Sequence, residues 1–309
     1  MSSVLTPPQN LAAPSLRTQR IVALILLICQ GGITVTGSIV RVTGSGLGCN
    51  TWPQCHEGSL VPVEGAAPLV HQAIEFGNRL LTFVLVAAVV AMFITLRLAQ
   101  RRRELMIYVL ISGLGVVLQA VIGGISVLVD LQWWSVAIHF LPSMFLVWVA
   151  ALLYVRVAEP DEGVPERTYP RAVRVSAVIA TCALMVVLVT GTMVTGAGPH
   201  AGDAEAGMSG RLEVDIDLMA HIHGYLMYVY LLCTFITVVL LHLRKAPEAA
   251  KRTGLVLIAM IVVQAGIGIM QYRLGVPRWS VPIHIAMSSV VVAFTAFLYA
   301  HGLKRTVRS

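Results

Sequence analysis

Eight stretches of this chain are apolar over about the ~20 residues of helix that a bilayer's hydrocarbon core requires, and that length constrains the fold before any motif is read. Inside a bilayer every backbone N–H and C=O must find its partner within the chain, so uninterrupted runs of this kind can only be helices. They lie near residues 20–41, 68–98, 105–129, 134–157, 171–195, 217–243, 253–274 and 279–303. Only 12% of the residues are Asp, Glu, Lys or Arg, about half the share of an average soluble domain. The expected fold is an all-α polytopic membrane protein, embedded in membrane lipid.

The net charge of +7 speaks to topology rather than to nucleic acid, because the cations cluster in alternate connections. Arg97, Arg101, Arg102 and Arg103 follow the second helix. Arg156, Arg167, Arg171 and Arg174 flank the fourth connection, and Arg244, Lys245, Lys251 and Arg252 the sixth. The tail over 304–309 adds Lys304, Arg305 and Arg308. The long connections after the first and fifth helices are poor in Lys and Arg and carry Glu57, Glu64, Asp203, Glu205, Glu213 and Asp215. The positive-inside rule then puts both termini in the cytoplasm and the two long loops outside, with Arg273 and Arg278 the dissenting pair. The polar tail over 1–19 has no convincing cleavage site, so the first helix is expected to be retained. The expected location is the plasma membrane.

The chain also repeats itself. Gln119-Ala120-Val121-Ile122-Gly123 leads to Trp134-Ser135-Val136-Ala137-Ile138-His139, and Gln264-Ala265-Gly266-Ile267-Gly268 leads to Trp279-Ser280-Val281-Pro282-Ile283-His284. Val35-Thr36-Gly37-Ser38 is echoed by Val189-Thr190-Gly191-Thr192. Each copy holds an even number of helices, so the copies share one orientation, related by an axis along the membrane normal. Two pseudo-symmetric four-helix bundles are expected, over 20–158 and 171–303, joined by a cytoplasmic linker over 159–170. The same register sets Asn78 opposite His223 and Glu75 opposite Ala220.

Helical spacing brings the polar residues to one depth. His71, Glu75 and Asn78 share a stripe, at i, i+4 and i+7, whereas His221 and His223 are two apart, so at most one of them points at His284. A single intramembrane histidine is ordinarily a satisfied interhelical contact. Matched histidines on opposite helices of two bundles call for more, since ionisable groups inside a membrane are costly and default to function. Bundles build cofactor sites from facing side chains, and two facing imidazoles are one way to hold a haem. For Glu75 the bland reading is a helical ion pair with Arg79; the chemical one is a general base or charge stabiliser beside a ligand. Cys49 and Cys55 share an outer loop and are either a structural disulfide or a labile, redox-active one. Their spacing excludes covalent c-type haem attachment. Cys29, Cys182 and Cys233 read as inert packing residues, and His56 and His200 as solvated loop residues.

Taken together, Gly37-Ser38-Ile39-Val40-Arg41-Val42-Thr43-Gly44-Ser45-Gly46-Leu47-Gly48-Cys49, continued by Trp52-Pro53-Gln54-Cys55-His56, resembles the first outer loop of the haem A synthase family. Glu75-Phe76-x-x-Arg79, both Gln…Gly…His repeats and the His223 helix are similar to that family as well, over nearly all of 20–303. The resemblance implies a second half that binds haem b, an iron cofactor, through His223 and His284. It implies a first half that receives haem O as substrate, near the outer face. The implied reaction oxidises the C8 methyl of haem O to a formyl group by successive hydroxylations, with oxygen from water and electrons leaving through haem b, in support of cytochrome c oxidase maturation. Glu75 would be the catalytic carboxylate and Cys49–Cys55 an outer disulfide near the substrate. Haem O synthase, cytochrome c oxidase assembly factors and a second copy of the chain are the partners it suggests. One position departs from the family pattern Glu-x-x-His-Arg: the histidine is Asn78 here. Either His71 replaces it as an iron ligand from the same face, or His139 holds the substrate iron alone; His71 is the expectation adopted. The rival classes are a non-enzymatic di-haem b-type electron carrier, which would want equivalent ligand pairs in both halves, and a haem transporter or chaperone.

Overall fold

A computed structural model describes residues 13–201 and 210–307; Asp203, Glu205, Arg308 and most of the tail over 1–19 lie outside them. Eight helices among the described residues are long and apolar enough to cross a membrane. They are α1 (Leu16–Val42), α2 (Leu69–Leu98), α3 (Arg103–Leu128), α4 (Trp133–Arg156), α5 (Arg171–Ala197), α6 (Ile216–Leu243), α7 (Glu248–Arg273) and α8 (Ser280–Ala300). The starts of α1 and α7 precede their apolar runs because polar residues open both helices. Ser15 caps α1 by accepting from the Thr18 N–H, which starts the helix several residues before the apolar run. Glu248 and Lys251 put two charges into the first turn of α7, behind Pro247, and hydropathy alone places that turn in the loop. Asp215 caps α6 by accepting from the backbone N–H groups of Asp217 and Leu218, relieving donors that no helical carbonyl can reach.

The helices pack as two rings, α1–α2–α3–α4 and α5–α6–α7–α8, joined where α4 and α1 meet α8 and α4 meets α5. α4 and α8 are the most enclosed, and α3 and α7 turn most of their surface outward. The outward side chains are apolar, among them Phe83, Leu114, Leu232 and Phe235, as lipid contact demands. On the seam, Ser289 of α8 approaches Met144 of α4 (Oγ to Sδ 3.9 Å) and hydrogen-bonds Thr34 of α1 (3.1 Å). Met144 and Ser289 are equivalent positions of the repeat. Equivalent residues touch only near a two-fold axis, so this contact marks the pseudo-axis.

The end that carries the basic connections is tied by ion pairs. Arg102 meets Glu159 and Glu104, and Arg101 meets Asp161 (2.7 Å). Segments read from the sequence as linker and tail form a short antiparallel ribbon, β1 (Val164–Arg167) against β2 (Leu303–Thr306), with Val164 opposite Thr306 and Arg167 opposite Leu303. Arg156 donates to the Leu303 carbonyl and so fastens the ribbon to α4.

Candidate functional site

A cavity of about 1430 Å³ runs between the helices of both halves; Glu75, Asn78, His139, His223 and His284 all line it. The second half is the simpler side. His223 of α6 and His284 of α8 face each other with ring centroids 6.5 Å apart. The Thr190 hydroxyl sits 3.1 Å from His223 Nδ1 and is also 3.1 Å from the carbonyls of Val186 and Val187. Its one proton goes to a carbonyl, so the hydroxyl accepts from Nδ1–H and leaves Nε2 as a bare ligand atom. Gln264 Nε2 donates to the His284 carbonyl (3.1 Å) and to Ser288 Oγ (2.8 Å), fixing the backbone that carries the ring. A Cβ on Gly191 would stand 3.2 Å from His223 Cε1, and one on Gly268 3.2 Å from His284 Cε1. Glycines there make the room that the imidazoles occupy.

These residues fit a metal between two imidazoles. Metal–imidazole nitrogen bonds of about 2 Å, with each ring centre roughly an ångström behind its nitrogen, put two ligating rings about 6 Å apart. His221 takes no part: its ring packs edge-on to Tyr272 (5.5 Å), with Nδ1 2.6 Å from the Asp217 carbonyl.

The first half reuses the cradle and changes one wall. Gln119 donates to the His139 carbonyl (2.8 Å) and to Ser143, and a Cβ on Gly123 would meet the His139 ring at 3.2 Å. Buried His139 Nδ1 has no hydrogen-bond partner among the described residues. Across from it, Asn78 stands where His223 stands in the other half. Thr36 donates to Asn78 Oδ1 (2.7 Å), just as Thr190 holds His223. His71 is elsewhere: its Nδ1 meets Ser45 Oγ at 2.8 Å, and its ring is absent from the cavity wall. The structure therefore gives no support to His71 as a replacement ligand. It sits on the stripe of Glu75, yet the loop over 43–48 has claimed it.

Glu75 realises the ion pair with Arg79 and more. Its Oε1 accepts from Arg79 Nη2 (2.6 Å) and Nε (3.2 Å), and its Oε2 from the Cys49 N–H (2.6 Å). Arg79 goes on to donate to the carbonyls of Gln54 (3.0 Å), Cys49 (3.1 Å) and Thr51 (3.0 Å). Cys49 and Cys55 are joined as a disulfide, so this pair of α2 side chains clamps the disulfide loop at the cavity edge. Trp52 from that loop packs onto α3, where a Cβ on Gly124 would come within 2.3 Å of the indole.

Comparison with known proteins meets the same pattern. The profile of the cytochrome oxidase assembly protein family matches residues 20–296. This chain belongs to that family. It is similar to the heme A synthases of Listeria welshimeri (30% identical over 145 residues), Lysinibacillus sphaericus (33% over 131) and Bacillus pumilus (29% over 124). The aligned stretches span 45%, 42% and 39% of this chain, and 45%, 41% and 39% of those relatives. The resemblance to the haem A synthase family read from the motifs thus holds.

Within this family member, two parts of the site escape a reading by hydropathy and motif. His56, expected on the surface, is buried; its Nε2 lies 2.9 Å from Gln72 Oε1 and its Nδ1 3.0 Å from Asn50 Oδ1. Gln72 in turn holds the backbone of Val63 and Ala67, so the pair is the internal stay of the long loop. Arg41 reaches from α1 into the other half, donating to the carbonyls of Thr195 and His200 (2.9 Å each). The only signal for it is an arginine at the very end of an apolar run. The His200 ring, also read as solvated, is half-buried with Nε2 2.9 Å from the Val276 carbonyl.

Proposed function

We propose that this protein is a haem A synthase: a membrane oxidoreductase that converts the C8 methyl of haem O to a formyl group. The observation that carries this reading is the inequality of two sites built on one repeated scaffold. One half has a facing histidine pair and an alanine, Ala220, where the other half has Glu75. The other pairs one cavity histidine with a buried carboxylate and a clamped disulfide loop. An electron carrier with equivalent haems has no use for that difference, and a transporter or chaperone has none for the buried carboxylate.

In this reading the second half holds haem b through His223 Nε2 and His284, and the first half receives haem O beneath the disulfide loop with His139 as its ligand. Bound haem b supplies the electron-accepting chemistry that each hydroxylation requires. Each hydroxylation joins the methyl carbon to a water oxygen and releases an electron pair with two protons; loss of water from the twice-hydroxylated carbon leaves the formyl group. Three of the roughly four lone-pair positions of the Glu75 carboxylate are taken by Arg79 and the Cys49 N–H. A carboxylate so engaged is a fixed negative charge, suited to stabilising positive charge that develops on the substrate carbon, more than a mobile proton acceptor. Arg79 and the backbone of Cys49 orient it. By the positive-inside reading the disulfide loop faces outside in the plasma membrane, where an oxidised pair persists. Haem O synthase would be the source of substrate.

Pigment extraction from cells supplying haem O tests this. The wild type should accumulate haem A or its hydroxylated precursor. Glu75→Ala should accumulate neither, yet retain the low-spin spectrum that His223→Leu or His284→Met removes or shifts. Haem A formation by Glu75→Ala would sink the role given to the carboxylate.

A further inference from the structure

The two halves share a cradle, and beside the exchange of Glu75 for Ala220 its walls differ in the group that faces the α4 or α8 histidine. Gly123 and Gly268 each leave 3.2 Å between a built Cβ and a histidine ring. Thr36 and Thr190 each hold the side chain at the matching place on the neighbouring helix. Gly191 faces the His223 ring at 3.2 Å, but its counterpart Gly37 meets nothing within 4 Å. The carboxamide of Asn78 is shorter than an imidazole and leaves that wall open. Its Oδ1 is engaged by Thr36, and Nδ2 has no hydrogen-bond partner among the described residues. An amide NH₂ donates hydrogen bonds and has no lone pair to give a metal. The other nearby imidazole, His71, is held by Ser45 away from the cavity wall.

We propose that the first-half site binds haem iron through His139 alone, leaving the opposite axial position open to a small exogenous ligand beside the Asn78 amide. The proposal rests on the reading of the first half as a haem site and concerns its coordination. Asn78 is then a positioning residue: it offers a hydrogen-bond donor to whatever small acceptor enters, and its shortness makes room. The second-half site, closed by two imidazoles, admits no such ligand.

Purified protein loaded with ferric protoporphyrin IX and examined by absorption and electron paramagnetic resonance provides the test, with cyanide as the probe. Two haems per chain are expected, one low-spin and unreactive, one high-spin and converted by cyanide. Asn78→His should turn the second haem low-spin before any addition and lower its cyanide affinity at least tenfold. His139→Ala should lose the cyanide-reactive haem and keep the other. Two low-spin haems in the wild type, neither reacting with cyanide, would overturn the single-ligand assignment while leaving the two-site reading intact. Uptake of one haem only, lost in His284→Ala, would overturn both. The cyanide reaction of the wild type decides the matter even if Asn78→His does not fold.

Discussion

Removing Arg79 should open the disulfide loop far more than removing Glu75, although the two form one ion pair. Cys49 and Cys55 are each 0% exposed, so a reductant reaches their bond only when the loop lifts, and the reduction rate follows the free energy of that local opening. Arg79→Ala deletes the donor to three loop carbonyls and leaves Glu75, 5% exposed, as a buried carboxylate with only the Cys49 N–H. Breaking a buried pair in this way costs about 3–5 kcal/mol. The Arg79 side chain is 20% exposed, which favours the lower end of about 3 kcal/mol, or roughly a hundredfold at ~1.4 kcal/mol per tenfold. Glu75→Ala leaves an arginine that is partly solvated and still bonded to the three carbonyls; its loss frees one loop N–H, worth about 1 kcal/mol, or roughly fivefold. The double variant should lie below Arg79→Ala, since no charge is stranded. The assay is the rate of maleimide labelling of Cys49 and Cys55 under a fixed concentration of reductant in detergent. Equal rates for the two single variants, or a double variant faster than Arg79→Ala, would refute the clamp.

Thr190→Val should free His223 Nδ1 and weaken retention of the second-half haem by roughly 10–100-fold, as loss of a partner to a ligand histidine typically does. Thr190→Ser should restore retention, measured as haem per chain after gel filtration. Gly268→Ala places a methyl 3.2 Å from His284 Cε1; the low-spin spectrum should shift or fade, and an unchanged spectrum would mean the ring is not held there. At the basic end, burial raises the Asp161 carboxyl, but the hydrogen bonds from the Arg101 side chain and the Arg102 N–H outweigh it and hold the group below its ordinary range. Its folded value is thus the lower one. Its contribution to stability is present above about pH 4, the ordinary aspartate value, and is lost as pH falls through the depressed folded value. Asp161→Asn should flatten the acid limb of a melting-temperature profile, and an unaltered limb would remove Asp161 from the cluster's stabilising set.

The fold was legible because its determinants are one-dimensional. Hydrocarbon thickness dictates helix length, and the duplicated Gln…Gly…His stretch dictates that the halves share an architecture. Helix ends were legible only where apolar and polar composition change together; the first turns of α1 and α7 run past that change on the strength of Ser15 and Pro247. The ribbon of β1 and β2 was invisible, since neither strand alternates and each is held by the other, with Arg156 fastening β2. Within the site, the residues carried by the repeat could be placed in advance. Those held by unrepeated contacts could not: His71 shares the helical stripe of Glu75 but is captured by Ser45, and His56 is drawn inward by Gln72, a partner sixteen residues away.

That division has a physical reason. A repeated stretch inherits its geometry, so whatever symmetry demands of one copy is met in the other, down to the 3.2 Å gap between glycine and imidazole in each half. An unrepeated side chain answers only to its neighbours. Both sites carry an orphan of the same kind: buried Oε1 atoms of Gln119 and Gln264 lack partners among the described residues, because each amide turns its NH₂ toward the histidine carbonyl it steadies. Flipping either amide would set its oxygen against that carbonyl, so the network fixes its orientation. The scaffold thus spends the same glutamine in the same way twice, whether its histidine faces another histidine or an asparagine. Chemistry can diverge at Asn78 and Glu75 without disturbing the backbone that aims His139, because the aiming is done from α3 and the divergence lies on α2.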